Sequence, residues 1–174
     1  MKVAITGKMC SGKSTLSNYL VKNKNFTRLG YGDFVKKYAK EIFDMKVKDR
    51  KLLQDLGQKL KEIDPNVWVK LLEKKLDSLE KKGIDKIVVD DVRFPQEIKS
   101  LRQKGFIILK LNINEELQKK RIIRTYPDNY KLHLMRLNDI SENLNSDFIT
   151  DYEFNINKNN ENRIFKLITD KLNI

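Results

Sequence analysis

Short apolar runs alternate along the chain with longer stretches in which apolar residues return every three or four positions. Lys2–Thr6 is a compact apolar run that breaks at Gly7, the pattern of a buried strand. From Gly12 to about Asn23, Leu16, Tyr19, Leu20 and Val21 draw the apolar stripe of a helix. Phe26–Leu29 predicts a second strand. Asp33 is placed to cap a helix running to Phe43, with Phe34, Tyr38, Ile42 and Phe43 at helical spacing. Another helix follows from about Lys48 to Ile63 on Leu52, Leu53, Leu56 and Leu60. Asp64-Pro65 opens the next, through about Lys82, with proline near its first turn and Gly83 past its end.

The second half continues the alternation. Lys86–Asp90 (KIVVD) is apolar on both faces until it ends in acid. Pro95–Lys104 predicts a helix closed by Gly105, Phe106–Leu111 a strand, and Glu115–Arg124 a basic helix. Residues 126–150 read as an irregular polar segment around one short helix. Tyr152–Ile156 is the last predicted strand and Glu161–Leu172 the closing helix. Strands too apolar to face water, separated by helices, predict an α/β fold of three layers, α/β/α, with a central parallel five-stranded sheet. Right-handed crossovers gather the ends of such strands on one edge, where ligands collect. No repeat, low-complexity tract or Pro/Gly linker interrupts the pattern, so residues 1–174 are expected to form a single domain.

The first strand runs into GKMCSGKS, residues 7–14, which reads G-x-x-x-x-G-K-[ST]. Strand, glycine loop and helix in that order are the context a phosphate-binding loop requires. Gly7 and Gly12 permit backbone angles and a close approach that a side chain forbids. The amides of the loop (Lys8, Cys10, Ser11) and of the helix start (Lys13, Ser14, Thr15) would point donors at nucleotide phosphates. Lys13 is placed to reach the β and γ phosphates, and Ser14 to offer its hydroxyl to Mg²⁺. Cys10, inside the loop, reads either as a small residue that fits or as a thiol made reactive by the surrounding amides.

Composition changes this picture only a little. Hydrophobic content of 40% with 34% charged residues is that of an ordinary globular domain, and no run approaches the ~18 apolar residues of a membrane span. Cys10 is the one cysteine, which excludes an internal disulfide or a zinc cluster. A cleaved leader is not expected, since cleavage would destroy the glycine loop; we expect a cytoplasmic protein. The net charge of +12 implies attraction to anionic ligands. The lysines are scattered over predicted helix surfaces, however, so nucleic acid is not the expected partner.

A second motif carries more information than the loop. DDVRFPQE, residues 90–97, puts Asp90 and Asp91 at the end of the KIVVD strand, where a phosphate-loop protein needs carboxylates for the water shell of Mg²⁺. Arg93 follows at the mouth of the site. This segment resembles the VSDVRFPNE-type motif of the viral and phage deoxynucleoside monophosphate kinases, within the nucleoside monophosphate kinase group of P-loop proteins. The resemblance extends in order over nearly the whole chain: YGDFVKKYAKEIF (31–43), RKLLQDLGQKLKEIDPNVWVKLL (50–72), ISENL (140–144) and DYEFNINKN (151–159) are similar to that family's blocks. Lys61, in place of the family's frequent Arg, and Asp139, in place of its His, depart from the pattern, and the stretch between Arg124 and Asp139 is short for a lid.

The resemblance implies phosphoryl transfer from Mg-ATP to a deoxynucleoside monophosphate. It implies a core of residues 1–30, 84–113 and 151–174, acceptor-binding helices over about 31–83, and a lid over about 114–140. Catalytic roles would fall to Lys13, Asp91, Arg93, Arg121 and Arg124, metal contacts to Ser14, Asp90 and Asp91, and acceptor contacts to Tyr31, Lys36, Arg50, Gln54, Trp68, Arg93 and Phe94. Several of these residues have simpler readings. Arg121 and Arg124 share a helix face and could be a solvated basic surface, with Arg136 a weaker candidate beyond them. Trp68 could be core, Phe94 could pack under its own loop, and Ser141 and Glu142 could be a capping pair. His133 is assigned no chemistry. Adenylate, thymidylate or phosphomevalonate kinase-like activity, or a non-catalytic nucleotide switch, are the alternatives. The sequence leaves the oligomeric state open, with a slight lean to a homodimer.

Overall fold

The computed structural model describes residues 1–135, 137, 149–157 and 160–174. In chain order its elements are β1 (Lys2–Thr6), α1 (Lys13–Lys24), β2 (Thr27–Leu29), α2 (Tyr31–Phe43), α3 (Arg50–Ile63), α4 (Val67–Glu80), β3 (Ile87–Val89), α5 (Pro95–Gln103), β4 (Ile107–Ile113), α6 (Glu115–Thr125), α7 (Tyr130–Met135), β5 (Tyr152–Ile156) and α8 (Glu161–Leu172). The five strands form one parallel sheet in the order β2-β3-β1-β4-β5. The chain divides into two compact units, Met1–Arg28 with Lys86–Ile174, and Leu29–Asp85.

In the first unit β1 lies between β3 and β4, with Val3 opposite both Val88 and Ile107. Val3, Ile5, Leu109 and Leu111 pack with Leu16 and Leu20 of α1 and with Ile164, Phe165, Ile168 and Leu172 of α8. Strand alternation turns Ala4 and Ile108 to the other face, and both are fully buried as well. Central parallel strands are covered on two sides, which is why these runs lack polar alternation. Asp151 fixes the entry to β5. Its carboxylate accepts from the Ile108 amide (2.7 Å) and from Arg102 Nη1 (3.1 Å), while Arg102 Nη2 donates to the Ile149 carbonyl (2.8 Å).

The second unit is helical. Ala39, Met45 and Leu56 form its small core, with Val35, Tyr38, Leu52, Leu53 and Leu60 packed around them. Three boundaries differ from the sequence expectation. Helix α2 begins at Tyr31 with Gly30 as its cap, so Asp33 lies inside the first turn and pairs with Lys36 (3.0 Å) instead of capping. Helix α3 is capped by Asp49, whose carboxylate accepts from the Leu52 amide at 3.0 Å. Helix α4 begins at Val67, because Asp64 accepts from the Asn66 amide (3.0 Å) and closes a turn ahead of the helix. In the first unit β4 runs on to Ile113, held there by pairing with Ile156. Arg136, Asp139, Ser141 and Glu142 lie outside the described residues.

Candidate functional site

The turn after β1 is shaped by steric necessity. Gly7 has φ 137°, and a Cβ on it would lie 2.4 Å from the Leu111 carbonyl oxygen of β4 and 3.0 Å from Ser11 Oγ. Cys10 (φ 61°) and Gly12 (φ 101°) also take left-handed backbone, which coils residues 7–12 into a tight loop. Gly12 offers no side-chain cap and α1 has no acid in its first turn. A helix N-terminus without a capping side chain or a first-turn acid is one whose positive end favours an anion. Lys13 Nζ lies across the loop, donating to the carbonyls of Gly7 (2.6 Å) and Lys8 (2.7 Å). Ser11 is fully buried, and its amide donates to the same Lys8 carbonyl at 3.2 Å.

Helix α6 meets this loop from the side. Asn114 caps the helix by accepting from the Leu117 amide at 2.8 Å. One turn on, Gln118 Nε2 donates to the Met9 carbonyl (3.0 Å), and Arg121 Nη1 donates to the Cys10 carbonyl (3.1 Å). A cleft of about 510 Å³ opens here, lined by Cys10, Gly12, Lys13, Ser14, Thr15, Arg121, Arg124, Thr125 and Tyr126. The two predicted arginines of α6 thus stand with Lys13 around one cleft. Tyr126 is stacked on His133 with ring centroids 4.1 Å apart, and His133 is buried, so the lone histidine packs beneath the cleft wall.

The acidic motif follows β3. Asp90 is only 3% exposed and pairs with Arg28 Nη2 at 2.8 Å, a guanidinium supplied by β2. Asp91 is half-buried, and the Val92 carbonyl accepts from Thr6 Oγ1 at 3.1 Å, which ties this loop to the end of β1. Glu97 explains the end of the motif. Its buried carboxylate accepts from the amides of Arg93 (2.7 Å) and Phe94 (3.1 Å), capping α5 and fixing the turn from which Arg93 projects. The Arg93 side chain is exposed and Phe94 half-buried. The exposed Ser14 hydroxyl and the carboxylates of Asp90 and Asp91 are hard oxygens of the type Mg²⁺ prefers, but of the three only Ser14 is among the residues lining the cleft at the loop. Asp90 would act there with its charge already shared with Arg28.

The remaining predicted residues belong to the second unit. Tyr31 is buried at the start of α2, and Lys36 is exposed and paired with Asp33. Arg50, half-buried, and Gln54, exposed, are one turn apart on α3 and share a face. Trp68 is 3% exposed, donates its indole N–H to the Gly57 carbonyl (3.1 Å) and leans on Tyr38. Sequence reasoning missed Arg28, Gln118 and the capping role of Glu97. A signal existed for two of them: Glu97 stands three residues after Phe94 beside a helix-starting proline, and Gln118 stands three before Arg121. For Arg28 nothing in the sequence reveals that β2 lies beside β3.

A family model described as an AAA domain matches residues 3–132. No curated protein matches the sequence. Among solved structures, the chain is similar to a sugar kinase from Janibacter sp. (15% identity, TM-score 0.65, covering 99% of this chain and 94% of that one). It is also similar to shikimate kinase from Acinetobacter baumannii in complex with shikimate (17% identity, TM-score 0.64, 99% and 93% covered). A third similar structure is a kinase described as putative, from Chloroflexus aurantiacus (14% identity, TM-score 0.60, 98% and 94% covered). At these identities the likeness shows a shared P-loop kinase fold.

Proposed function

The chain belongs to the AAA domain family, and from that premise we propose that it is a small-molecule kinase that moves the γ-phosphoryl group of ATP to a deoxynucleoside 5′-monophosphate. The observation that carries the reading is the gathering of Lys13, Arg121 and Arg124 around one cleft at the glycine loop. A switch that only reports a bound nucleotide needs the loop. A phosphoryl transferase also needs cations around the group in flight, because charge spreads over its oxygens in the transition state. The DVRFPQE motif directs the reading to a nucleoside monophosphate acceptor.

In this mechanism the loop amides and the start of α1 hold the donor phosphates, and Lys13 leaves the Gly7 and Lys8 carbonyls to bind the β and γ oxygens. Ser14, Asp91 and Asp90 would hold Mg²⁺ or its waters, and the ion would supply positive charge against the charge that develops on the phosphates. Arg93, projecting from the turn that Glu97 fixes, grips the acceptor phosphate. Phe94 supports the acceptor from the same turn. For base and sugar recognition we propose Lys36, Arg50 and Gln54, with Tyr31 and Trp68 shaping the interior behind them. An oxygen of the acceptor monophosphate forms the new bond to γ-phosphorus, the bond to the β–γ bridging oxygen breaks, and ADP leaves. No general base is required, because the attacking oxygen already carries negative charge.

A coupled ADP-release assay with Mg-ATP tests this, using dAMP, dGMP, dCMP, dTMP, the matching ribonucleotides, phosphomevalonate and shikimate. Turnover on a deoxynucleotide, weaker on its ribose counterpart, is the expected result. Turnover on shikimate or phosphomevalonate alone would move the chain to another acceptor class, and ATP binding without any turnover would leave a switch. Lys13→Ala and Arg93→Ala should each lose on the order of 10²–10³ in kcat, the usual cost of one donor aimed at the transition state. Near-wild-type kcat in a folded variant of either would remove that residue from the mechanism.

A further inference from the structure

Gln118 is only 2% exposed, yet its amide is spent on a single carbonyl far away in sequence, that of Met9 in the glycine loop (3.0 Å). A buried side-chain amide is costly to place unless its bond matters to the structure around it. The neighbouring contact is of the same kind, since Arg121 Nη1 donates to the Cys10 carbonyl (3.1 Å). Two consecutive carbonyls at the apex of the loop are thereby pinned towards α6. We propose that Gln118 is a positioning residue for phosphate binding: by holding the Met9 carbonyl towards α6, it fixes the orientation of the Met9–Cys10 peptide unit, with the Cys10 N–H on the opposite side of the loop, as donation to nucleotide phosphates would require. The inference rests on the nucleotide-binding reading of the loop.

The reason lies in the peptide unit. A trans peptide is planar, with its C=O and N–H pointing in opposite directions. Fixing the Met9 carbonyl on α6 therefore turns the Cys10 N–H to the far side of the loop, and fixing the Cys10 carbonyl does the same for the Ser11 N–H. The Ser11 amide identifies that far side: it points at the Lys8 carbonyl, which also receives Lys13 Nζ. The Ser11 amide and Lys13 Nζ thus meet at one carbonyl, on the side of the loop away from the bonded Cys10 carbonyl. If the Met9–Cys10 unit flipped, the phosphates would lose a donor and meet a carbonyl oxygen instead. The left-handed backbone of Cys10 (φ 61°) makes this unit one that needs external support.

The test compares Gln118→Met, which keeps the shape and removes the donor, with wild type, titrating Mg-ATP and inorganic tripolyphosphate by calorimetry. We expect both ligands to bind Q118M about tenfold more weakly, the equivalent of one hydrogen bond of ordinary net strength. The acceptor KM should stay unchanged and the melting temperature should stay within a few degrees of wild type. Gln118→Glu, which turns an acceptor towards the carbonyl, should be weaker still at neutral pH. Should Q118M melt early, Gln118→Asn, whose amide is too short to reach, carries the same comparison. Unchanged affinity for both ligands in a folded variant overturns the proposal, as does a loss confined to the acceptor KM. If wild type itself binds neither ligand, the nucleotide reading fails first, and this inference with it.

Discussion

Glycine occurs at two instructive positions, and the same substitution should have opposite effects at each. At Gly7 an added Cβ meets the Leu111 carbonyl oxygen at 2.4 Å, and the backbone is left-handed. Backbone cannot yield as a side-chain tip can, so Gly7→Ala must displace either the loop or β4. We expect a stability loss of about 1–3 kcal/mol together with at least tenfold weaker ATP binding, read by thermal melting and calorimetry. At Gly57, inside α3, the added methyl would sit 3.9 Å from Val35 Cγ1, an ordinary contact, on backbone with no positive φ. Gly57→Ala should stabilise the protein by about 0.5–1 kcal/mol, because alanine loses less backbone entropy in a helix. A destabilised G57A would mean that the Trp68 bond to the Gly57 carbonyl has no room to adjust.

Elements were readable from the sequence where one local rule decided them. The run Lys2–Thr6 breaking at Gly7, the KIVVD strand and the Pro95 helix start all follow from local apolar pattern and turn chemistry, and all are present. The failures came where two local rules competed. Asp33 is a good cap by type, yet Gly30 takes that place and Asp33 pairs with Lys36. The Asp64-Pro65 dipeptide looks like a helix start, yet the Asp64 carboxylate closes a turn first. The phosphate loop was legible because its glycines are dictated by geometry within a few residues. Arg28 and Gln118 were not, since each acts on a partner more than sixty residues away and only the sheet order brings them together. Glu153, on β5, shows the same non-local logic and gives a pH test. Asn112 and Thr150 donate to its carboxylate and Lys110 faces it across the strand pair, which holds its pKa below the usual carboxylate range. A depressed pKa contributes stability above the unfolded value that is lost as pH falls through the folded one. Glu153→Gln should therefore be less stable than wild type at pH 7 in urea titrations, by a modest amount because the side chain is half-exposed. The gap should close as the pH drops below about 4. A gap that persists unchanged at that pH would assign the effect to hydrogen bonding alone.

At the scale of the whole molecule the open question is what the net charge of +12 serves. Two partners could answer to it, a nucleotide or a nucleic acid, and they respond differently to salt. A small polyanion drawn into one cleft feels the general field, which is screened as the Debye length shrinks from about 30 Å at 0.01 M salt to about 8 Å at 0.15 M. Its binding should weaken only a few-fold over that range, because the proposed contacts with Lys13, Arg121 and Arg124, which line the cleft, would be short and partly desolvated. Nucleic acid bound along a basic surface would instead release one condensed counterion for each phosphate contacted, and its affinity would fall by powers of ten. Many of the lysines here are taken up by acids on their own surfaces. Lys36 pairs with Asp33, Lys59 with Glu62 and Lys70 with Asp64, so the charge is distributed and partly compensated instead of forming one tract. We therefore expect a shallow salt dependence of the Kd for Mg-ATP and no duplex or single-stranded DNA binding above 0.15 M salt, measured by fluorescence anisotropy on the same preparation. A steep log–log salt slope for DNA, with a slope near or beyond about −4, would place the cationic surface in a nucleic-acid complex. The kinase cleft would then act on or beside a polynucleotide, not on free nucleotides alone.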